Sequence, residues 1–320
     1  MNKPIVSINC LTYNHAPYVR QCLDGFIMQK TDFPIEVLVH DDASTDGTAD
    51  IVREYEQKYP DIIKPIYQTE NQYSKGISPS RTYNYPRAQG KYIAICEGDD
   101  YWTDPCKLQK QVDFLEANPE YGLCYTKARV YSQKKNEFEK WSMGTEVYKK
   151  EDFPYSAVIP TLTICLRKEL LFKYYEEIKP ETRGWKFIGD YPIKLWFYCN
   201  SRVHFINEIT CVYRVNVGST MNPTSYERLV ELCNEDYRMI TFLAKYYGFY
   251  TPEMKKYIIS TYLSQRAIGA RDFKKYAEWI KIGQMIDENT YKKFFIKLIG
   301  RSILLMKIYR YYCIKKRILV

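Results

Sequence analysis

The sequence predicts an α/β fold, a mainly parallel central sheet flanked by helices, with a helical extension toward the C-terminal end. Three observations point there. Short apolar strands alternate with helical periods over about the first 130 residues, the pattern of a parallel sheet. Two of those strands stop at acidic clusters, Asp41-Asp42 and Asp99-Asp100, and ligands of such sheets bind beyond the carboxyl ends of the strands. From about Pro223 onward the pattern is helical to the end.

Taken in order, residues 4–11 read as a short buried strand running into the turn Thr12-Tyr13-Asn14-His15. Val19 to Met28 follows a helical period, and Ile35 to His40 forms a second strand that stops at Asp41-Asp42-Ala43-Ser44-Thr45-Asp46-Gly47-Thr48. A helix from Ala49 to Tyr59 ends at Pro60. Ile62 to Gln68 is a third strand, which Pro65 assigns to a sheet edge. Lys91 to Cys96 is a fourth, ending at Glu97-Gly98-Asp99-Asp100-Tyr101-Trp102. Asp104 is expected to cap the next helix, with Pro105 at its first position and its end near Ala117. Residues 121–131 are strand-like. Beyond Lys150, Phe153 to Leu166 looks extended and broken by proline, and Gly184-Trp185 marks a loop. Asp190 to Tyr198 looks helical and His204 to Val215 strand-like.

Composition narrows the class. The chain has 320 residues, 46% hydrophobic, with 32 tyrosines whose rings and hydroxyls suit clefts as well as cores. Its formal charge of +9 is matched by nine Lys/Arg and no acid between Lys292 and the end, so the remainder is electrically balanced. A nucleic-acid footprint would spread charge over the fold, so no nucleic-acid partner is expected. Ten cysteines occur with no C-x-x-C pair and no His/Cys cluster at zinc spacing. With no signal peptide read at the start, they are expected to be reduced core residues of a cytoplasmic protein. No run of 18 apolar residues suggests a transmembrane helix.

The acidic clusters carry the chemistry. Adjacent carboxylates directly after a buried strand supply the ligands that Mg²⁺ or Mn²⁺ takes alongside phosphate oxygens, where the metal acts as a Lewis acid. Asp is also a turn and cap residue, and local sequence leaves both readings of Asp99 and Asp100 open. A calcium loop starting at Asp42 would have Gly47 at position six but Arg53 at position twelve, where a bidentate Glu is needed, so it fails. Turn chemistry suffices for Ser44, Thr45, Asp46 and Gly47 without requiring Asp41 or Asp42. No G-x-G-x-x-G follows the first strand, which excludes a dinucleotide fingerprint, and there is no P-loop. By its own surroundings Asp190 reads as a helix cap. Trp196 reads as core, Trp102 and Trp185 as loop residues near the pocket, and His15 and His40 as ordinary polar or core histidines.

Five pieces in one order resemble the inverting family 2 glycosyltransferases of GT-A fold. They are Ser7-Ile-Asn-Cys-Leu-Thr-Tyr13-Asn14, Glu36 through Thr48, Arg81 ahead of Gly90, Gly90 through Asp100, and Ile188-Gly189-Asp190. The resemblance spans about residues 4–215. It implies that Tyr13 packs on a nucleobase, usually uracil, that Asp42 accepts the ring N–H, and that Arg81 lies near the base or diphosphate. It implies further that Asp99 faces the ribose, Asp100 holds a divalent metal (Mn²⁺ or Mg²⁺), and Asp190 is the general base. An inverting transfer needs such a carboxylate to take the acceptor proton. Two positions depart from the pattern: Glu97 replaces the first acid of the DxD-like element, and Asn216 stands where relatives often carry His.

On this resemblance residues 1–220 form the transferase domain, with a nucleotide-binding half 1–130 and an acceptor half 131–220, and 221–320 a helical region. The implied partners are a nucleotide-sugar donor, by family habit a UDP-sugar, and a saccharide or lipid-linked acceptor for surface polysaccharide. A sugar nucleotidyltransferase would need a Gly-rich basic loop that Thr12-Tyr13-Asn14-His15 lacks. An inactive nucleotide-binding module sits poorly with acids retained at 42, 99, 100 and 190. The tail 291–320 mixes basic and apolar residues, with Lys293, Lys297, Arg301 and Lys307 toward one side of a helical wheel. It is expected either to lie on the anionic inner face of the cell membrane or to pack on the protein itself.

Overall fold

A computed structural model describes residues 3–146, 159–185, 189–216 and 225–275, together with 278 and 282. The chain divides into two compact units, Met1–Val217 and Gly218–Val320.

In the first unit, among the described residues, nine strands form one sheet. They are β1 (Val6–Thr12), β2 (Ile35–Asp41), β3 (Ile63–Tyr67), β4 (Tyr92–Ile95), β5 (Tyr101–Trp102), β6 (Tyr121–Ser132), β7 (Glu137–Met143), β8 (Cys165–Arg167) and β9 (Arg202–Val215). Their order is β3-β2-β1-β4-β8-β6-β9-β5, with β7 paired to β6. The half β3-β2-β1-β4 is parallel, as the strand–helix alternation requires. The other half is mixed: β8 runs antiparallel to β4 and β6, whereas β6 and β9 are parallel. β1 is buried on both faces, which explains its near-continuous run of small and apolar residues. Ile8 pairs in register with Val37 on one side and Ala94 on the other. Pro65 sits in β3 at the sheet edge, where its missing N–H costs least.

Helices α1 (Val19–Ile27), α2 (Thr48–Lys58) and α4 (Lys107–Ala117) turn apolar faces to the sheet. Val19, Cys22, Leu23 and Phe26 of α1 join Val52 of α2 and Leu108, Val112 and Leu115 of α4 in one core. The 3- and 4-residue spacing in α1 is the amphipathic period read from sequence. Between β3 and β4 a π-helical turn, Ser80–Asn84, runs into the short α3 (Tyr85–Arg87). Asn84 Nδ2 donates to Asn9 Oδ1 and to the Leu38 carbonyl, both at 2.9 Å, and Asn9 Nδ2 donates to Ser80 Oγ at 3.0 Å. These bonds fasten the π-turn, and Arg81 with it, across β1 and β2.

Three expectations change. Asp104 and Pro105 precede α4 rather than opening it: the helix starts at Lys107, and Asp104 Oδ1 accepts the Cys106 N–H at 2.8 Å. The stretch 153–158 lies outside the described residues. After it a 3-10 turn, Thr161–Thr163, leads into β8, in place of one continuous extended run. Trp102 is core, not a pocket wall: it is 2% exposed, packs edge-on against Phe26, and its Nε1 donates to the Leu162 carbonyl. Beside it Lys107 is fully buried, its Nζ 4.0 Å from the Trp102 ring centre and 2.8 Å from Gln111 Oε1, so its charge is met by a π face and an amide. Among the described residues this unit has two further helices, α5 (Lys168–Ile178) and α6 (Asp190–Asn200). Trp196 of α6 is buried, as its helical position indicates.

The second unit contains α7 (Tyr226–Tyr246) and α8 (Pro252–Asp272). Ser225 and Thr251 cap them by accepting the N–H groups of Arg228 and Met254, each at 3.2 Å. Tyr226, Leu263, Ala267 and Ala270 form its core. The tail 291–320 lies outside the described residues. Among those described, no helix is long and apolar enough to cross a membrane.

Candidate active site

The site is assembled where β1, β2 and β4 end. The first two loops interlock through side chains: the Asn14 N–H donates to Ser44 Oγ, Asn14 Oδ1 accepts the Thr45 N–H, and Thr48 Oγ1 accepts the His15 N–H. Asn14 adopts φ 56° and Gly47 φ 92°, left-handed conformations that Asn and Gly tolerate best. The turn chemistry expected for residues 44–48 is therefore present. Asp41 belongs to it as well, since its carboxylate accepts the Ser44 N–H and the hydroxyls of Ser44 and Thr12. Tyr13 stands out from this loop, 47% exposed.

Asp42 is buried, and its two oxygens accept the backbone N–H groups of Gln72 at 2.8 Å and Tyr73 at 3.0 Å. It thereby anchors the loop after β3. His40 is fully buried with Nε2 3.4 Å from Asp42 Oδ1, and its ring packs on Tyr83. Burial pushes the His40 imidazole down, against the pull of Asp42.

The loop after β4 gathers three acids. Asp100 is buried, and its Oδ1 accepts the Arg214 N–H at 2.7 Å. Burial first, then the charge of Asp99, pushes its carboxyl well above the usual range. Asp99 Oδ2 accepts the Asn216 amide at 3.0 Å, which brings the second departing position directly to the acids. Glu97 is exposed at the rim of the cleft, and the hydration it loses to the cleft walls, followed by the charges of Asp99 and Asp190, pushes it up to about 7. Gly98 is required here: a Cβ would lie 2.5 Å from Thr12 Cγ2 and 3.0 Å from His15 Nδ1. The ring of Tyr213, on β9, lies within electrostatic reach of Asp100, Glu97, Asp99 and Asp190 together.

Asp190 opens α6. Its Oδ2 accepts from Lys194 Nζ at 2.5 Å and from the Thr161 hydroxyl, and Lys194 Nζ also donates to Thr161 Oγ1 at 2.9 Å. Crowding raises the Asp190 carboxyl, but Lys194 and Thr161 more than reverse this and hold it at about 2. Asp190 keeps 44% of its side chain exposed against 10% for Lys194, so solvent reaches the carboxylate far more than the ammonium. Sequence reasoning misses Lys194, although its i,i+4 spacing from Asp190 on a helix is a visible signal. Thr161, 29 residues away, gives no such signal.

The fold therefore joins Glu97, Asp99, Asp100 and Asp190, and leaves Arg81 in other company. The Arg81 guanidinium makes a two-pronged ion pair with Glu181 and lies 5.0 Å from the Tyr175 ring centre. Among the described residues, no three His, Cys, Asp or Glu side chains are arranged to hold a metal unaided. The acids nonetheless fit a divalent cation that brings its own phosphate and water ligands, because a nearby positive charge would favour the ionised carboxylates that burial first, and then the neighbouring acids, disfavour at Glu97 and Asp100.

A parallel half-sheet that ends in a carboxylate loop, joined to a mixed half that carries a further acid, is the arrangement of the GT-A fold. The solved mannosyltransferase PcManGT from Pyrobaculum calidifontis, in complex with GDP-Man and Mn²⁺, matches it with TM-score 0.57 at 18% identity, over 98% of this chain and 84% of that one. The profile described as Glycosyl transferase family 2 matches residues 7–179, and the chain belongs to that family. An uncharacterized protein of Mycobacterium tuberculosis is 46% identical over 125 residues, 39% of this chain and 35% of its own length. The chain thus spans about a third of the length of this relative. The putative teichuronic acid biosynthesis glycosyltransferase TuaG of Bacillus subtilis is 29% identical over 167 residues, 52% of this chain and 64% of its own.

Proposed function

We propose that this protein is an inverting glycosyltransferase that moves a sugar from a nucleotide donor to a saccharide or lipid-linked saccharide acceptor in surface polysaccharide synthesis. The observation that carries the proposal is the Asp190 carboxylate, held 2.5 Å from Lys194 Nζ, open to solvent, and near enough to Glu97 for the two charges to interact. Family membership and the teichuronic acid relative support the reaction class.

In the proposed reaction an acceptor hydroxyl hydrogen-bonds Asp190. The Lys194 and Thr161 side chains both contact Oδ2, and Oδ1 would accept the proton. The acceptor oxygen bonds to the anomeric carbon as the bond from that carbon to the donor diphosphate breaks, its electron pair leaving on the diphosphate. Asp100 would hold the divalent metal, Mn²⁺ or Mg²⁺, whose positive charge stabilises that leaving group. Asp99 faces the ribose, Tyr13 stacks on the base, and Asp42 accepts the ring N–H while still anchoring the loop after β3. Arg81 would contact the base or diphosphate with the N–H donors that its pair with Glu181 leaves over, or by exchanging Glu181 for the ligand. UDP is favoured by the family resemblance, while the structural relative carries GDP-Man. The tail 291–320 is proposed to rest on anionic lipid at the inner face of the cell membrane.

The test is a thermal-shift screen of UDP, GDP, dTDP and CMP with and without Mn²⁺. One nucleotide should stabilise the protein in a metal-dependent way, by about 2.7 kcal/mol at a hundred times its Kd. No shift with any nucleotide on folded protein would favour an inactive fold relative and leave Asp42 and Asp100 as turn residues.

A further inference from the structure

Near the acids lies a hollow whose aromatic lining the proposed reaction leaves unused, although Arg81 stands at its rim. It has a volume of about 330 Å³, between the π-turn that carries Arg81 and the C-terminal end of α5. That volume is at the lower end for small-molecule sites, which begin at about 300 Å³. Its apolar surface comes from three rings, Tyr85, Phe172 and Tyr175. The Tyr85 and Tyr175 rings lie 6.1 Å apart, and Phe172 is 39% exposed although it is a large hydrophobe. Its polar rim is Arg81 paired with Glu181, together with Glu176 and Lys179.

We propose that this hollow is a pyranose subsite, in which a sugar ring lies against the Phe172 and Tyr175 rings and its hydroxyls meet the Arg81–Glu181 pair. The inference rests on the glycosyltransferase reading and adds to it where a sugar is held. Aromatic faces beside a few charged hydrogen-bonding groups suit a ligand with one apolar C–H face and a polar perimeter. The rim argues against a phosphate in the same place. Two cations and two carboxylates balance, and Glu181 already occupies the guanidinium fork that would clamp an anion. Such a rim offers both donors and acceptors, as a neutral polyol needs.

One ring of the hollow also senses the charges of the reaction centre. Tyr85 lines it and lies within electrostatic reach of both Glu97 and Asp190. The sugar ring could belong to the acceptor or to the donor sugar, and the chemistry of recognition is the same for both.

Saturation-transfer NMR on the full chain, with methyl β-D-glucopyranoside and methyl N-acetyl-β-D-glucosaminide, probes the acceptor source. Thermal shift with UDP-glucose and GDP-mannose against UDP and GDP, all with Mn²⁺, probes the donor source. Phe172→Ala changes an exposed side chain and should leave the fold intact. One of the two sugar signals is expected in the native protein and should weaken about fivefold in Phe172→Ala, the loss of one aromatic contact. The shift given by nucleotide alone should be unchanged. Glu181→Gln should weaken the same sugar signal. A sugar signal equal in native and Phe172→Ala protein, or no sugar signal where nucleotide alone does bind, overturns the subsite and leaves the transferase reading standing. Absence of any nucleotide shift would instead count against the transferase reading itself.

Discussion

Lys194 Nζ lies 2.5 Å from Asp190 Oδ2, one helical turn along α6, and is far more buried than its partner. The pair keeps the proposed base ionised while leaving it accessible. Because Asp190 is 44% exposed, solvent screening makes the pair a small contributor to stability, and its importance lies in the state of the carboxylate.

Removing the carboxylate charge while keeping its shape should separate binding from chemistry. Asp190→Asn is expected to retain nucleotide affinity and to lose transfer by about 10²–10⁴-fold. Native transfer rates in this variant would remove Asp190 from the base role.

Lys194 gives a pH signature. The Asp190 carboxyl is held at about 2 in the folded protein, below its ordinary 3.8, so it stays ionised through the working range. Its contribution to stability is present above the ordinary value and is lost as pH falls through about 2. Lys194→Met removes the main lowering influence and leaves the crowding, so an acidic limb should appear in the kcat profile at higher pH than in native protein. Superimposable profiles would show that Lys194 does not set the charge of Asp190.

Asp100→Ala should abolish the increment that Mn²⁺ adds to nucleotide binding, while nucleotide alone still binds through Tyr13 and Asp42. Titration calorimetry with and without Mn²⁺ reads this directly. An unchanged increment would move the metal to other ligands.

Glu97 supplies a second pH test. Its carboxyl, pushed up to about 7 by crowding and by the Asp99 and Asp190 charges, keeps a proton in the folded protein at mildly acidic pH. A cation that favours the ionised acids must compete with that proton, so Mn²⁺ binding should strengthen as pH rises through about 7. The comparison is the Mn²⁺-dependent thermal shift at pH 6 and pH 8. Equal shifts would show that Glu97 does not sense the metal.

Gly90 tests the scaffold rather than the chemistry. A Cβ there would lie 2.5 Å from the Ser7 nitrogen and 2.8 Å from the Val6 carbonyl carbon, both backbone atoms of the central strand. The Gly90 N–H also donates to Ser7 Oγ, which in turn donates to Glu36 Oε1 at 2.5 Å. Gly90→Ala should cost about 1–3 kcal/mol by overpacking, measured as a lowered denaturation midpoint. A midpoint equal to native would mean that β1 and β4 can separate without penalty.

Sequence alone determined the parallel half of the sheet and the place of its acids. Strand residues such as Val6, Ile8 and Cys10 form short apolar runs, and the acids come directly after them in the chain, so local pattern and site coincide. The helix of Asp190 was legible for the same reason. Only the tertiary structure decided which groups face one another. Trp102 follows the acidic loop, yet it is drawn into the core because Phe26 and the Leu162 carbonyl close around it. The family resemblance implies a nucleotide contact for Arg81, and the sequence gives no sign that Glu181, a hundred residues later, pairs with it. Asn216 reaches Asp99 across 117 residues because β9 returns beside β5. Periodicity and turn chemistry act between near neighbours and can be read along the chain. The pairing of charges and the filling of a core depend on contacts between distant segments, and those exist only once the sheet has closed.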